Sequence, residues 1–276
     1  MENGVKFESV SFGRRMKSML RVDFRRMLRS RLFYIMIAVS LLVPIVMTVM
    51  LTMMDGQESV DPETGEITVM EGPENAWESI GTLPSNEPAS GDAAAMGEMD
   101  VLAMCNINMA FMGVCVFVCL FISDDFRSGY AKNLFTVRAR KSDYVISKTL
   151  AGFVCGAFML IAYLIGAILG GAISGLSFDL GALTPMNIVM CIIAKIYLML
   201  VFVSIFTLIG IAAKQRAWLS ICLSLGGGML LFMMVSMITP LASTVLNVGL
   251  CLVGGAIFAF GLGAASNAVL KKTSLV

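Results

Sequence analysis

Six long apolar runs constrain this chain more than any other feature. They cover residues 32–54, 101–122, 149–173, 188–213, 217–239 and 245–269. A helix needs about 20 apolar residues to cross the hydrocarbon core of a bilayer. Only 14% of the residues are charged, whereas a soluble domain has about a quarter. The sequence therefore predicts an all-α membrane protein with six transmembrane helices.

Charged residues are distributed unevenly along the chain. Residues 1–31 contain nine Lys or Arg residues and residues 123–148 contain six, whereas residues 55–100 contain twelve Asp or Glu and no basic residue. Lys and Arg concentrate in the cytoplasmic connections of membrane proteins. The pattern predicts a multi-pass protein of the plasma membrane with both termini in the cytoplasm.

The apolar runs and the charges together divide the chain into segments. In order, these are a cytoplasmic basic amphipathic helix within 1–31, the first span at 32–54, an acidic extracytoplasmic loop at 55–100, the second span at 101–122, a cytoplasmic connector at 123–148, spans three to six within 149–269, and a cytoplasmic tail at 270–276.

The segment before the first span has two distinct helical faces. The apolar face contains Met16, Leu20, Phe24 and Met27, and another face contains Arg14, Arg21, Arg25 and Arg29. Such a helix is suited to lie in the cytoplasmic interface against anionic lipid. The alternative is a basic segment that only sets the orientation of the first span, which requires no amphipathic pattern.

The acidic loop admits two interpretations. Its negative charge could attract a cationic cargo such as a basic peptide, or an external loop could simply lack Lys and Arg and stay soluble. Within it, the run SVDPETGEITV places a turn between two β-branched stretches, which predicts a small hairpin.

Small residues recur at intervals of four within the spans, a spacing that lets helix backbones approach closely in a bilayer. The pattern predicts a compact bundle, and its members are Gly152 and Gly156, Gly166 and Gly170, and Gly255, Ala259 and Gly263.

Lys195 is the one charged residue well inside an apolar run. Its long stem could let the ammonium reach the outer interface. Alternatively, the charge faces a cavity on the substrate path, since ionisable groups inside membranes mark such paths. The sequence leaves both alternatives open.

Several kinds of catalytic chemistry have no residues to support them. The chain has no histidine and no GxxxxGK[ST] phosphate-binding loop, which removes Ser-His proteolysis and this route of nucleotide hydrolysis. The seven cysteines include no CxxC pair, so neither a metal site nor a disulfide framework is predicted. We expect a protein that is not an enzyme and that is passive or driven by a partner.

Residues 123–148 carry the most specific local pattern. The second span runs into acidic residues, and a glycine, a short helix, a basic turn and a lysine at the third span follow. The residues are Asp124, Asp125, Gly129, the segment 130–137, Arg140, Tyr144 and Lys148. In this order of features the chain resembles the permease subunits of bacterial ABC-2-type transporters, particularly lantibiotic-immunity and bacitracin-export permeases. Asp here replaces the commoner Glu of that family, and the Pro that often precedes the turn is absent.

The resemblance implies a coupling helix within residues 124–140 that docks in a groove of a separate ATP-binding subunit. The residues agree, because Phe126, Tyr130 and Leu134 share a helical face that could form an amphipathic ridge. Asp124 or Asp125 could pair with Arg127 or with a basic residue of the partner. The residues predicted to contact the partner are Asp124, Asp125, Phe126, Arg127, Gly129, Tyr130, Lys132 and Arg140.

The function implied by the resemblance is ATP-driven export of an amphiphilic substrate, such as an antimicrobial peptide, a lipid-like compound or a drug. Two permease chains, identical or related, would pair with two ATP-binding subunits that hold ATP and Mg²⁺, and the first, second and fifth spans would line the seam between permeases. No cofactor on this chain and no nucleic-acid partner are expected. The alternative function is a non-transporting membrane scaffold or sensor that uses residues 123–148 as a binding surface.

Overall fold

A computed structural model describes residues 11–60, 67–69, 72–81, 106–137 and 140–272. Some of the predictions fall outside these ranges. They concern the turn of the predicted hairpin, most of the acidic loop, the first five residues of the predicted second span, Cys105, and the end of the tail.

The described chain is mainly helical. The helices are α1 (Phe12–Arg29), α2 (Arg31–Met53), α3 (Met109–Arg127), α4 (Tyr130–Val137), α5 (Lys141–Ser174), α6 (Pro185–Ala213), α7 (Ala217–Ile238) and α8 (Val245–Lys272). Two short strands, β1 (Glu58–Val60) and β2 (Ile67–Val69), pair antiparallel where the hairpin is predicted, and a 3₁₀ helix covers Ala76–Ser79.

Five of these helices, α2, α3, α5, α6 and α8, are long and apolar enough to cross a membrane. The remaining predicted span corresponds to α7, which is 22 residues long and is not among these five. The count of six spans therefore stays a prediction.

Two helices extend beyond the predicted ends of the spans at the 123–148 connector. The second span was placed at 101–122, but α3 continues to Arg127, and α5 begins at Lys141 rather than near residue 149. The apolar runs stop at the first charged residues, whereas the helices continue past them, and Asp125 and Lys148 in these extensions pair inside the protein. The connector outside the long helices is consequently shorter than predicted, and α4 makes up most of it.

Close contact between α2 and α5 depends on glycine. A β-carbon at Gly166 would overlap the carbonyl oxygen of Leu41, and one at Gly170 would lie 3.0 Å from the Cα atom of Ile45. The close packing predicted at these two glycines is thus confirmed. The proline within α2, Pro44, lies at the same contact and does not end the helix.

The two ends of the helix bundle differ. At one end, residues 72–81 pack on the α5–α6 turn, where the amide of Ala76 donates to the carbonyl oxygen of Ser177 and Trp77 meets Phe178 edge to face. We call this the loop end. The opposite end carries α1, α4 and the α6–α7 turn, and we call it the α4 end.

Candidate functional site

Two acidic and two basic side chains meet at the α4 end. Asp23 and Arg26 belong to α1, Asp125 to α3 and Lys148 to α5. We call these four residues the charge cluster. The side chains of Asp23, Asp125 and Lys148 are 0% exposed, and that of Arg26 is 27% exposed at the edge of the group.

Lys148 is the centre of the charge cluster. Its Nζ atom lies 2.8 Å from Oδ1 of Asp23 and 2.7 Å from Oδ2 of Asp125. The guanidinium of Arg26 lies 2.6 Å from the other oxygen of Asp125. Two carboxylates therefore face two cations, so that the formal charges of the four groups cancel.

Hydroxyl groups complete the coordination of the carboxylates. The Tyr144 hydroxyl donates to Oδ2 of Asp125 at 3.0 Å, and the Ser147 hydroxyl donates to Asp23. A buried ion pair offsets its desolvation cost only when further hydrogen bonds satisfy the charged atoms. The hydroxyls meet part of that requirement, and both come from the first turns of α5.

Aromatic rings enclose the two cations. The Arg26 guanidinium carbon lies 4.1 Å from the centroid of the Tyr130 ring, and the Lys148 ammonium lies 4.0 Å from that of Phe121. Both distances fit cation–π contacts. Tyr130 belongs to α4, so the stacked ring connects this short helix to α1.

The environment favours the charged form of Arg26 and the neutral form of Tyr130. Burial opposes the charge on Arg26, but the adjacent Asp125 carboxylate outweighs it and raises the pKa of the guanidinium. Burial raises the pKa of the Tyr130 phenol above its ordinary value. At neutral pH the contact therefore joins a guanidinium to an uncharged ring.

Sequence reasoning missed Asp23. It is the only acidic residue of α1, and with Met19 and Met27 it forms the buried face of that helix. The apolar face predicted at Met16, Leu20 and Phe24 is only partly buried. The sequence did contain a signal for this residue. Asp23 is a single acid among basic residues, and it lies four positions from Met19 and four from Met27, so the three share one helical face.

The aromatic ridge predicted for partner contact is not exposed along its whole length. Phe126 is 8% exposed, and Leu134 packs against the core. Phe126 also meets Tyr144 edge to face, with 6.5 Å between ring centroids. Phe126 therefore points into the protein, whereas Tyr130 and Leu134 are half-buried.

The pairing predicted for Asp125 is also wrong. Its carboxylate is buried and bound to Arg26 and Lys148 rather than to Arg127 or a partner. Four of the other predicted contact residues are exposed, and two are half-buried. The exposed residues are Asp124, Arg127, Lys132 and Arg140, and the half-buried residues are Gly129 and Tyr130.

The break between α3 and α4 occurs at Gly129. Its φ of 73° lies in the left-handed region, where only glycine is free of steric cost. This turn leaves Arg127 and Lys132 on the surface while Asp125 remains inside.

Exposed cations line a groove of about 650 Å³ between the α3–α4 turn and the α6–α7 turn. We call it the basic groove. Its charged lining residues are Arg127, Lys132, Lys214 and Arg216, and no acidic residue lines it. A surface of this charge is complementary to an acidic patch on another protein.

Lys195 lies at the opposite, loop end of the bundle. The residue is 1% exposed, and its ammonium donates to Oδ1 of Asn108 at 2.8 Å and to the Thr239 hydroxyl at 3.1 Å. The accepting residues lie at the loop ends of α3 and α7, and the predicted reach of the ammonium to the outer interface stays a prediction. A role in the substrate path stays a prediction, which transport by a Lys195→Met variant would test.

Within the described ranges, no group of three or more His, Cys, Asp or Glu side chains is arranged to hold a metal ion. The chemistry of the described site therefore consists of ion pairs, hydrogen bonds and an exposed basic surface.

Comparison with known proteins gives one family. The sequence model described as ABC-2 family transporter protein matches residues 79–231, which is more than half of the chain. The matched region contains all of α3 to α6 and most of α7, including Asp125, Lys148 and the basic groove. No curated protein and no solved structure matches the chain at a significant level.

Proposed function

The chain belongs to the ABC-2 transporter family, and from this premise we propose that it is the permease of an exporter powered by ATP hydrolysis on a separate subunit. Membership of this family implies partnership with an ATP-binding subunit. The proposal therefore has two parts, namely the surface where that subunit docks and the contacts that transmit its movement to the spans.

The observation that carries the proposal is the basic groove. It exposes four cationic residues and is bordered by Gly129 at the start of α4. Partner docking on exposed charges would be steered electrostatically and weakened by salt. We propose that an acidic surface of the ATP-binding subunit fits this groove and the exposed side of α4. The proposal retains the predicted coupling segment, but the surface of this segment that contacts the partner is the basic groove rather than the aromatic ridge.

The charge cluster supplies the mechanical connection. Asp125 ends the α3 span and Lys148 lies near the start of the α5 span, and Arg26 contacts both Asp125 and the α4 residue Tyr130. Breaking one member of such a buried group costs about 3–5 kcal/mol. We therefore propose that α1, α4 and the adjoining ends of α3 and α5 move together when the partner moves.

Charge distribution supports a cytoplasmic position for the α4 end. Basic residues concentrate at this end, whereas residues 55–100 contain none. By the positive-inside rule, this pattern supports a position of α1, α4 and the α6–α7 turn on the side where ATP is available.

The proposed cargo is an amphiphilic compound, such as an antimicrobial peptide, a lipid-like molecule or a drug. The resemblance of residues 123–148 to lantibiotic-immunity and bacitracin-export permeases supports this choice. Large apolar side chains such as Val46 on α2 and Phe260 on α8 are exposed and would face lipid, cargo or a second permease. Stimulation of ATP hydrolysis by an amphiphilic cationic peptide, but not by an equally charged polar peptide, would support it.

Charge reversal in the basic groove tests the docking. We expect Arg127→Glu with Lys132→Glu to reduce the affinity for the ATP-binding subunit at least tenfold, because attraction to an acidic surface becomes repulsion. Binding of the purified subunit to the permease in nanodiscs, measured at low and high salt, gives the result. Wild-type affinity should fall as salt rises.

Lys271→Glu with Lys272→Glu is the matched control, since it makes the same charge change on exposed residues at the end of α8. This control should bind like the wild type. Equal affinity of the groove variant and the control would contradict docking at the basic groove.

A further inference from the structure

The outer face of α1 combines an apolar stripe with a basic row. Leu20 and Phe24 are half-buried and Leu28 is 48% exposed. These three residues line an open groove of about 510 Å³. The groove's other lining residues are exposed cations, namely Lys17, Arg21, Arg25 and Arg29. We call this surface the α1 outer groove.

Within α1 no acidic group opposes the charge of this surface, and from α3 the exposed Asp124 lines a neighbouring pocket with Arg25 and Arg29. Asp23 is the only acidic residue of the helix, and it is buried on the opposite side in the charge cluster. By helical spacing, the stripe of Leu20, Phe24 and Leu28 lies between that buried face and the basic row. The helix therefore passes from a protein-facing side, through an apolar flank, to a cationic side.

The helix that carries the groove is joined directly to an apolar span. One extended residue, Ser30, separates the end of α1 from the start of α2 at Arg31. The first turn of α2 exposes Tyr34 and Ile35, which are 58% and 56% exposed. The outer face of α1 consequently lies where the hydrocarbon level of α2 gives way to headgroups.

We propose that the α1 outer groove binds an anionic phospholipid. The guanidinium groups of Arg21 and Arg25 would receive the phosphate, a geometry that arginine favours over lysine. The acyl chains would lie along Leu20, Phe24 and Leu28. An acidic protein or a nucleic acid would use the cations but would leave the apolar stripe without a partner, so the combination selects lipid.

Bound lipid would also act on the charge cluster. Arg26 and Asp23 lie on the same helix as the groove, and they hold α3 and α5. Anionic lipid that fixes α1 therefore stabilises the fold as a whole. This inference does not depend on the proposed partner, because it requires only the permease and a membrane.

Binding to phosphatidylglycerol tests the proposal directly. The full chain, purified in detergent, is titrated with phosphatidylglycerol and with phosphatidylcholine of the same acyl chains, and bound lipids are counted by native mass spectrometry. We expect the wild type to prefer phosphatidylglycerol and to gain thermal stability from it. Arg21→Glu with Arg25→Glu should weaken this binding at least tenfold, and the Lys271→Glu, Lys272→Glu control should retain it.

Two further measurements keep the outcome decisive. Arg21→Gln with Arg25→Gln removes charge without reversing it and should lose part of the preference, which covers the case in which the Glu variant fails to fold. Glycerol 3-phosphate should neither bind nor stabilise, since it lacks acyl chains. Equal binding of both lipids, unchanged binding in the Gln variant, or stabilisation by glycerol 3-phosphate alone would each overturn the proposal.

Discussion

Lys148 is the residue on which the charge cluster depends most. Its ammonium separates the buried carboxylates of Asp23 and Asp125, so Lys148→Met leaves two negative charges facing each other without a buried cation between them. We expect the variant to lose about 3–5 kcal/mol of unfolding free energy. Denaturant unfolding of the purified protein in detergent measures this loss.

Lys132→Met is the control for that measurement. It removes the same charge from an exposed site on α4, where substitutions usually change stability by less than about 0.5 kcal/mol. Adding Asp23→Asn to Lys148→Met should recover part of the loss, because Asp23 is the carboxylate left without a cation, whereas Asp125 still contacts Arg26. If Lys148→Met and Lys132→Met unfold alike, the cluster does not stabilise the fold.

At the scale of elements, the contact between α2 and α5 has a sharp steric requirement. A methyl group at Gly166 would collide with backbone at Leu41, which cannot move aside as a side chain can. We expect Gly166→Ala to destabilise the protein by about 1–3 kcal/mol, the usual cost of overpacking. The change in unfolding temperature in detergent, relative to the wild type, measures this loss.

Gly226→Ala is the control for Gly166→Ala, because it makes the same substitution inside a helix without a close neighbour. No atom lies within 4 Å of a β-carbon placed at Gly226, and alanine is a better helix former than glycine by about 1 kcal/mol. This variant should be as stable as the wild type or more so. A Gly166→Ala protein that behaves the same way would show that α2 and α5 are not in such close contact.

The helices themselves follow from local sequence, but the charge cluster does not. Apolar runs predict the spans because every span must be apolar along its length. Asp125 and Lys148 lie just beyond two such runs and were therefore assigned to a connector. Their partners on α1, Arg26 and Asp23, are 99 and 125 positions away, so no local window could reveal that these charges pair.

For the whole molecule, the distribution of charge predicts which end of the helix bundle is cytoplasmic, and the family model identifies the kind of protein. Basic residues at 1–31 and 123–148 mark the α4 end, and the match over 79–231 identifies an ABC-2 transporter protein. The surface proposed to bind the partner could be chosen only from the structure. Phe126 has the residue type of a docking ridge but lies inside, whereas Arg127 and Lys132 lie outside on the basic groove.

Site-specific crosslinking tests the central claim, that the ATP-binding subunit docks at the basic groove. A photoreactive p-benzoylphenylalanine is placed at position 132 on α4, and a second chain carries it at position 182, exposed in the α5–α6 turn of the loop end. After irradiation of membranes that contain the ATP-binding subunit, we expect a covalent adduct with that subunit from position 132 and none from position 182. No adduct from position 132, or an adduct from position 182, would contradict it.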